Sequence, residues 1–215
     1  MKNKTMRRIN EILFVILAAM VLISCKEKEK KVLTPEEKEY AKQIEHMRTQ
    51  TDRWMRTNPD SPFNAKEKVE FHPLNYYEPN MDFIFKSKLY EYDPKDTVTV
   101  FGTKGEKRTF LRYGYFNINY EGQTHKLNLY VGRTADGKTY PSIWFTDETT
   151  NDETYGVGRY LNIRLSNDPE HIYTIDFNAA YNPYCAYSKE YSCAIPRKED
   201  HLNFAVEAGE KKFHD

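Results

Sequence analysis

The stretch KRTFLRYGYFNINY at residues 107–120, followed by EGQTHKLNLYV at residues 121–131, decides the fold class. Two strand-like runs, Lys107–Tyr120 and Thr124–Val131, are separated by Glu121-Gly122. A short connection that carries Gly is typical of a tight turn between antiparallel strands. This part of the chain therefore predicts a β-hairpin.

Further strand-like runs lie on both sides of this hairpin, at residues 82–92, 98–102, 142–145, 159–165, 172–177 and 202–207. The turns between them are short, and they include Asp93–Asp96, Lys104-Gly105 and Ala135–Lys138. Consecutive hairpins favour an antiparallel meander over a parallel sheet. We therefore predict a mainly β fold, an antiparallel meander that forms a barrel or sandwich.

One α-helix is predicted ahead of the strands. Thr34 is a suitable N-cap, Pro35 suits the first helical position, and Thr34 with Glu37 forms a capping-box pattern. Apolar residues then recur on one stripe at helical spacing, namely Tyr40, Ile44, Met47 and Trp54. We predict a helix from about Pro35 to Arg56 that packs its stripe against the β-domain.

The composition limits the class of protein. The chain has 215 residues, 32 basic and 32 acidic side chains and a formal charge of zero, which argues against a nucleic-acid-binding protein because such proteins need a basic face. Its 17 Tyr, 12 Phe and 2 Trp are too many for a disordered chain. The length fits one domain and a tail.

The first residues have the pattern of an export signal. Basic residues precede the apolar run Ile12–Ile23, which as a helix would span only about 18 Å of a hydrocarbon core about 30 Å thick. The run ends in Leu22-Ile23-Ser24-Cys25, which resembles the lipobox of bacterial lipoproteins. We expect a signal peptide at 1–24, lipidation of Cys25 by acyl chains such as palmitate, and a charged tether at 25–33. An uncleaved anchor and an ordinary secretory signal are the alternatives.

These expectations define the domains and the location. A helical segment at 34–60 would precede a single β-rich domain at 61–215. The protein would be attached through Cys25 to a membrane of the cell envelope and would face the periplasm or the exterior. In a cell with two membranes, the outer membrane is favoured. The membrane would be a partner through this anchor, and nucleic acid would not be one.

Two segments are long for the connections of a compact meander. They read FTDETTNDETYGVGRYL at 145–161 and IDFNAAYNPYCAY at 175–187, and long loops of mixed polar and aromatic content are often functional. We call them the first and second motif segments. They resemble D-x-T-T/S-G-x-E-T-Y-G-x-G-R-Y-L and D-F-N-x-A-Y-N-P-Y-C-A-Y, two strings of the DUF1684 family, a bacterial and archaeal domain of unknown function.

The resemblance extends from about Trp54 to Phe213 and includes a terminal A-G-E-K string. The chain departs from the family strings at a few positions, where it has Asn151 for Gly, Ala194 and Arg197 for Pro, and Asp200 for Asn. The resemblance implies a shared fold and a shared site around the motif segments, and it implies no reaction.

The motif segments supply the candidate binding or catalytic residues, which are Asp147, Glu153, Tyr155, Arg159, Asp176, Asn178 and Asn182. Two carboxylates near a guanidinium could perform acid–base hydrolysis or bind an anion. The structural alternative is that Asp147 and Asp176 cap turns, while Arg159 and Glu153 form a buried pair.

Cys185 and Cys193 enclose seven residues, and in an oxidising envelope a disulfide between them is the leading interpretation. A catalytic thiol is an alternative, but His171 and His201, the histidines close in sequence, carry no motif. Two Cys without paired His do not make a zinc site, and a phosphate-binding Gly loop and metalloprotease or serine-hydrolase motifs are absent from the sequence. We therefore predict no metal and no cofactor.

Three functions remain open from the sequence. The leading hypothesis is a lipid-anchored envelope protein whose β-domain binds a ligand or a protein partner near the motif segments. A hydrolase with its site near Asp147, Glu153, Arg159 and Asp176 is the second. A purely structural envelope component is the third.

Overall fold

The computed structural model describes residues 32–134 and 136–214. It contains one long helix, α1 (Pro35–Thr57), and seven strands: β1 (Ile84–Phe101), β2 (Lys107–Tyr120), β3 (Gln123–Arg133), β4 (Thr139–Asp147), β5 (Arg159–Asn162), β6 (Ile172–Asp176) and β7 (His201–Leu202). The predicted signal peptide, Cys25 and nearly all of the predicted tether lie outside the described residues.

Helix α1 ends one residue beyond the predicted end. Glu36 and Glu37 lie in its first turn and Arg56 in its last, so the charges complement the helix dipole. Of the predicted apolar stripe, Ile44 is buried, whereas Met47 and Trp54 keep 38% and 36% of their surface exposed. The predicted stripe was therefore only partly a packing face.

The strands form one curled, half-barrel sheet in the order β5-β4-β3-β2-β1-β6, and each neighbouring pair is antiparallel. The predicted antiparallel, mainly β fold class is confirmed. Strand β7 pairs with β4 and runs parallel to it. The hairpin between β2 and β3 is as predicted, since Glu121 (φ 48°) and Gly122 (φ 77°) both adopt the positive φ of a type I′ turn.

The predicted break at Asp93–Asp96 lies inside a continuous strand. The ladder between β1 and β2 shifts register between Glu91 and Asp96, and such an irregularity bends a strand without ending it. The bent strand serves two neighbours, because Ile84–Lys88 pairs with β6 and Leu89–Phe101 pairs with β2.

The last predicted strand, at 202–207, is wrong beyond Leu202. The backbone of Val206 bonds to side chains instead of to a neighbouring strand. The Val206 N–H donates to Asp147 Oδ1 at 3.3 Å, and the Val206 carbonyl accepts from Arg159 Nη2 at 2.9 Å. We call residues 203–214 the C-terminal segment.

Both faces of the central strands are buried. Leu129 and Phe145 belong to a large cluster on one face, whereas their neighbours Tyr130 and Trp144 belong to a smaller cluster on the other, as the two-residue repeat of a strand requires. No helix of the described residues is long and apolar enough to cross a membrane.

Candidate functional site

The first motif segment places an ion pair in the interior of the protein. Arg159 Nη2 donates to Asp147 Oδ2 at 2.9 Å, and both side chains are almost completely buried, at 0% and 1% exposure. The guanidinium also donates to the carbonyls of Val206, Ala208 and Glu210. Arg159 thus ties strand β5 to the C-terminal segment.

The second carboxylate oxygen of Asp147 also accepts hydrogen bonds. Oδ1 accepts from the backbone N–H of Thr149 at 2.8 Å and from its hydroxyl at 2.6 Å, and the Val206 N–H adds a third donor. A carboxylate with all these donors is already satisfied. These contacts support a structural role for Asp147 and Arg159.

Glu153 is not the partner of Arg159. It pairs instead with Lys211, from Nζ to Oε2 at 2.8 Å, in a partly exposed position. Asn151, which replaces a Gly of the family string, adopts a φ of 72°, a conformation that Asn tolerates better than most residues. The first motif segment therefore folds as a tight loop fastened to the C-terminal segment at two places.

Near the start of the second motif segment, Asp176 caps a short helix and Asn178 fixes a neighbouring loop. Asp176 Oδ1 accepts from the Asn178 N–H at 2.9 Å and so starts a short 3₁₀ helix, Phe177–Ala179. Asp176 Oδ2 accepts from Tyr40 of helix α1 at 2.7 Å. Asn178 is buried and bonds both backbone groups of Asn80 at 2.8 Å. Asp176 therefore fastens α1 to the end of the sheet.

Asn182 holds a buried carboxyl group, that of Glu210. The Asn182 backbone N–H donates to Oε2 at 3.0 Å and its side-chain amide to Oε1 at 2.9 Å. The Tyr187 hydroxyl donates to Oε1 at 2.6 Å. Complete burial outweighs these hydrogen bonds and raises the pKa of Glu210 to about 7.

A pocket of about 760 Å³ lies between helix α1, the second motif segment and one face of strands β2–β5. This volume is in the usual range for small-molecule sites. Its wall is rich in aromatic residues, which include Phe110, Tyr140, Trp144, Tyr160, Tyr181, Tyr184 and Tyr191. Of the seven candidate binding or catalytic residues, only Asn178 contributes to the wall, so the candidate carboxylates lie outside the pocket lining.

Aromatic packing holds the Trp144 ring in this wall. It stacks on Tyr130 with 4.7 Å between ring centres and meets Phe110 edge-to-face at 4.6 Å. An antiparallel backbone bridge joins Tyr160 to Tyr181, so the two motif segments meet in the wall. A flat apolar group could therefore pack against a preformed aromatic surface.

Arg48 of α1 supplies a cation to the same wall. Its Nη1 donates to the Tyr77 carbonyl at 2.8 Å, and its guanidinium lies 4.4 Å from the centre of the Tyr76 ring. Among the described residues, its Nε and Nη2 are buried and have no hydrogen-bond partner. Burial lowers the pKa of Arg48, yet a guanidinium stays charged.

The charges of the wall are mainly positive. Arg108 and Arg133 line it together with Arg48, and Glu210 is its acidic member. Because the pKa of Glu210 is raised to about 7, this carboxyl is partly neutral near neutral pH. The wall therefore suits an anionic group.

Cys185 and Cys193 are neighbours and are free thiols in the structure. The Cys185 backbone N–H donates to Cys193 Sγ at 3.2 Å. The Tyr155 hydroxyl lies 3.2 Å from the Cys185 carbonyl oxygen and 3.7 Å from its Sγ. The disulfide stays a prediction, and the side chains are placed where it could form.

Residues 69–211 match the family described as "Protein of unknown function (DUF1684)". The chain belongs to DUF1684. It is also similar to the solution NMR structure of an uncharacterized protein from Haloarcula marismortui, with 25% identity and a TM-score of 0.62 over 85% of this chain and 100% of that one. Comparison with curated proteins gave no match.

The DUF1684 match contains both motif segments and the C-terminal segment as far as Lys211, and these parts bond to one another through Asp147, Arg159 and Glu210. It begins after helix α1. The residues of α1 that line the pocket, among them Arg48, therefore lie outside the part of the chain that matches DUF1684.

Sequence reasoning missed Arg48 and Glu210. Arg48 lies in a strongly charged helix, where a basic residue is usually solvated, and the sequence carries no signal that distinguishes it. Glu210 did carry one, because it follows Ala208-Gly209 in the A-G-E-K string that the chain shares with DUF1684. Within residues 32–134 and 136–214, no group of three or more His, Cys, Asp or Glu is placed to hold a metal ion.

Proposed function

We propose that this DUF1684 protein is a lipid-anchored protein of the bacterial cell envelope that binds a small anionic ligand carrying a ring. The observation that carries the proposal is Arg48, which lines an aromatic pocket and whose guanidinium has two buried donors without a partner among the described residues. Leaving such donors unpaired is costly, and a carboxylate or phosphate would satisfy both at once.

The aromatic wall supports the proposal that the ligand carries a ring. Tyr140, Tyr181 and Tyr184 line the pocket and are at least partly exposed, so a flat or sugar-like ring could pack against them. Asn162 and Ser142 add hydrogen-bonding groups to the same wall. A few polar groups among apolar ones are typical of small-molecule sites.

The test uses pairs of small ring compounds, and one compound of each pair carries an anionic group. Benzoate is compared with benzyl alcohol, phenyl phosphate with phenol, and acetate serves as the anion without a ring. Trp144 reports binding by its fluorescence in a Trp54→Phe background, because Trp54 is the other tryptophan and does not line the pocket. We expect the ring-bearing anions to bind at least about tenfold more tightly than the neutral fragments or acetate.

Arg48→Gln should remove most of this preference, because it deletes the charge and keeps a long polar side chain. Arg53→Gln is the matched control, since Arg53 is an exposed residue of the same helix. Equal affinity for benzoate and benzyl alcohol, or equal losses in the two variants, would contradict the proposed ligand class. Unchanged Trp144 fluorescence with every fragment would contradict binding in this pocket.

The lipid anchor rests on the Leu22–Cys25 pattern and on the short apolar run before it. The proposed location is a membrane of the envelope, with the β-domain facing the periplasm or the exterior. In cells, Cys25→Ala should release the protein from the membrane fraction or block its processing. An unmodified intact mass of the native protein, with unchanged fractionation of the variant, would refute the anchor.

The hydrolase alternative has no comparable support. Asp147 and Asp176 accept hydrogen bonds from protein donors, Glu153 pairs with Lys211, and these three residues are not among those that line the pocket. A carboxylate that acts as a general acid or base needs access to a substrate proton. The contacts therefore favour binding over hydrolysis.

A further inference from the structure

The thiols of Cys185 and Cys193 lie side by side beside the pocket. The Cys185 backbone N–H donates to Cys193 Sγ at 3.2 Å, which places the Cys193 sulfur directly against residue 185. Cys193 belongs to the pocket wall, and Cys185 directly follows the wall residues Pro183 and Tyr184. Two free thiols held this close together are placed for exchange reactions between thiols and disulfides.

The two thiols are not equivalent. Cys185 is partly exposed, whereas Cys193 is buried. Hydrogen bonds from Cys193, Tyr155 and Thr103 lower the pKa of Cys185 to about 7. The pKa of Cys193 is raised, first by its hydrogen bond to Cys185 and then by burial. A partly exposed thiol with a pKa near the ambient pH is a good attacking group, and a buried neighbour can resolve the mixed disulfide that it forms.

The surrounding backbone holds this arrangement. The Cys193 N–H donates to the Thr103 hydroxyl at 3.2 Å, and the Thr103 N–H donates to the Cys193 carbonyl at 3.0 Å. The Tyr155 hydroxyl fastens Cys185 to the first motif segment. The thiol pair is thus attached to the turn between β1 and β2 on one side and to the first motif segment on the other.

We propose that Cys185 and Cys193 form a redox-active dithiol that reduces the disulfide bond of a peptide or of a small disulfide compound. The Cys185 thiolate attacks one sulfur of the substrate disulfide, forms a mixed disulfide and releases the first substrate thiolate, which takes up a proton. The Cys193 thiol then loses its proton and attacks Cys185 Sγ. The Cys185–Cys193 disulfide forms, and the second substrate thiolate leaves and is protonated.

Two electrons pass in this exchange from the dithiol to the substrate disulfide, and no other reactant is consumed. The disulfide predicted from the sequence is then the oxidised form of the pair, and a dithiol reductant reverses the reaction. This activity does not depend on the anionic ligand proposed above, because Arg48 takes no part in it.

The test uses oxidised glutathione as the substrate and intact mass as the readout, in a Cys25→Ala background that removes the third cysteine. The parent protein should lose two hydrogens and carry no glutathione. Cys193→Ser should accumulate one glutathione on Cys185, because the resolving thiol is absent. Cys185→Ser should react at least about tenfold more slowly than Cys193→Ser, because the remaining thiol is buried.

A second measurement needs no substitution at the pair. Alkylation of the reduced, folded protein by iodoacetamide, followed by peptide mapping, should label Cys185 about tenfold faster than Cys193, with a half-maximal rate near pH 7. Equal labelling of the two residues would overturn the proposal. It would also be overturned if folded, reduced protein did not react with oxidised glutathione, or if reduction of the disulfide unfolded the protein, because the bond would then be structural.

Discussion

Glu210 should make the stability of the protein depend on pH. Its carboxyl group is completely buried, and burial raises its pKa from 4.5 to about 7. The folded protein therefore holds this proton more tightly than the unfolded chain does. The contribution of Glu210 to the free energy of unfolding is fully present below about pH 4.5 and is lost as the pH rises through about 7.

The size of this loss follows from the two pKa values. A difference of one pKa unit corresponds to about 1.4 kcal/mol, so the change from 4.5 to about 7 predicts a loss of about 3 kcal/mol above neutral pH. The free energy of unfolding of a native domain is about 5–15 kcal/mol, so this loss is a large part of it. Glu210→Gln removes the titration and should flatten the curve.

The order of stability of Glu210→Gln and the parent protein should also reverse with pH. Oε2 of Glu210 accepts from the Asn182 backbone N–H, and an amide nitrogen at that place cannot accept, which costs about 1 kcal/mol. We therefore expect Glu210→Gln to be less stable than the parent at about pH 5 and more stable at about pH 8.

The assay is urea unfolding of the purified proteins across this pH range. Asp52, Cys185 and Asp200, whose pKa values are also shifted, are common to both proteins, so their titration cancels in the difference. Glu148→Gln, at an exposed position, is the control for the loss of one carboxylate. If the parent and Glu210→Gln curves run parallel between about pH 5 and pH 8, the burial argument is wrong.

Two further substitutions test the packing of the first motif segment by the same unfolding measurement. Arg159→Met should cost about 3–5 kcal/mol because it leaves a buried carboxylate without its cation, whereas Arg164→Met, at an exposed position, should change the stability by less than about 0.5 kcal/mol. Equal effects would refute the importance of the buried pair. Gly158→Ala should cost more than about 2 kcal/mol, because its φ is 105° and a Cβ would lie 2.5 Å from a backbone oxygen. Gly105→Ala, with a φ of 83° and open space around it, should cost about 1 kcal/mol, and a Gly158 variant no worse than this control would contradict the steric argument.

The parts of the fold that the sequence predicted are those fixed by neighbours in the chain. The β2–β3 hairpin depends on the Glu121-Gly122 turn and on the strand-like residues beside it. Helix α1 depends on its first turn and its periodicity. The C-terminal segment is different, because the backbone of Val206 bonds to Asp147 and Arg159. A strand-like pattern cannot indicate that side chains from another part of the chain will take the place of a neighbouring strand.

The candidate site was predictable to a smaller extent. The pocket lies against both motif segments that the sequence selected as the place of a site. Their charged residues, however, bond mainly within the protein, and the choice of Asp147 over Glu153 as the partner of Arg159 is made by the three-dimensional packing. Arg48 could not be found, because a pocket wall shared by a helix and a sheet exists only after the two have packed together.

Strand β5 shows how the buried ion pair and the pocket are related. Side chains alternate between the two faces of a strand, and Arg159 lies toward the C-terminal segment while Tyr160, the next residue, lines the pocket. A substitution that disrupts the Arg159–Asp147 pair would therefore also displace part of the pocket wall. Loss of ligand binding in an Arg159 variant would not identify Arg159 as a binding residue, whereas loss in Arg48→Gln with unchanged stability would identify Arg48 as one.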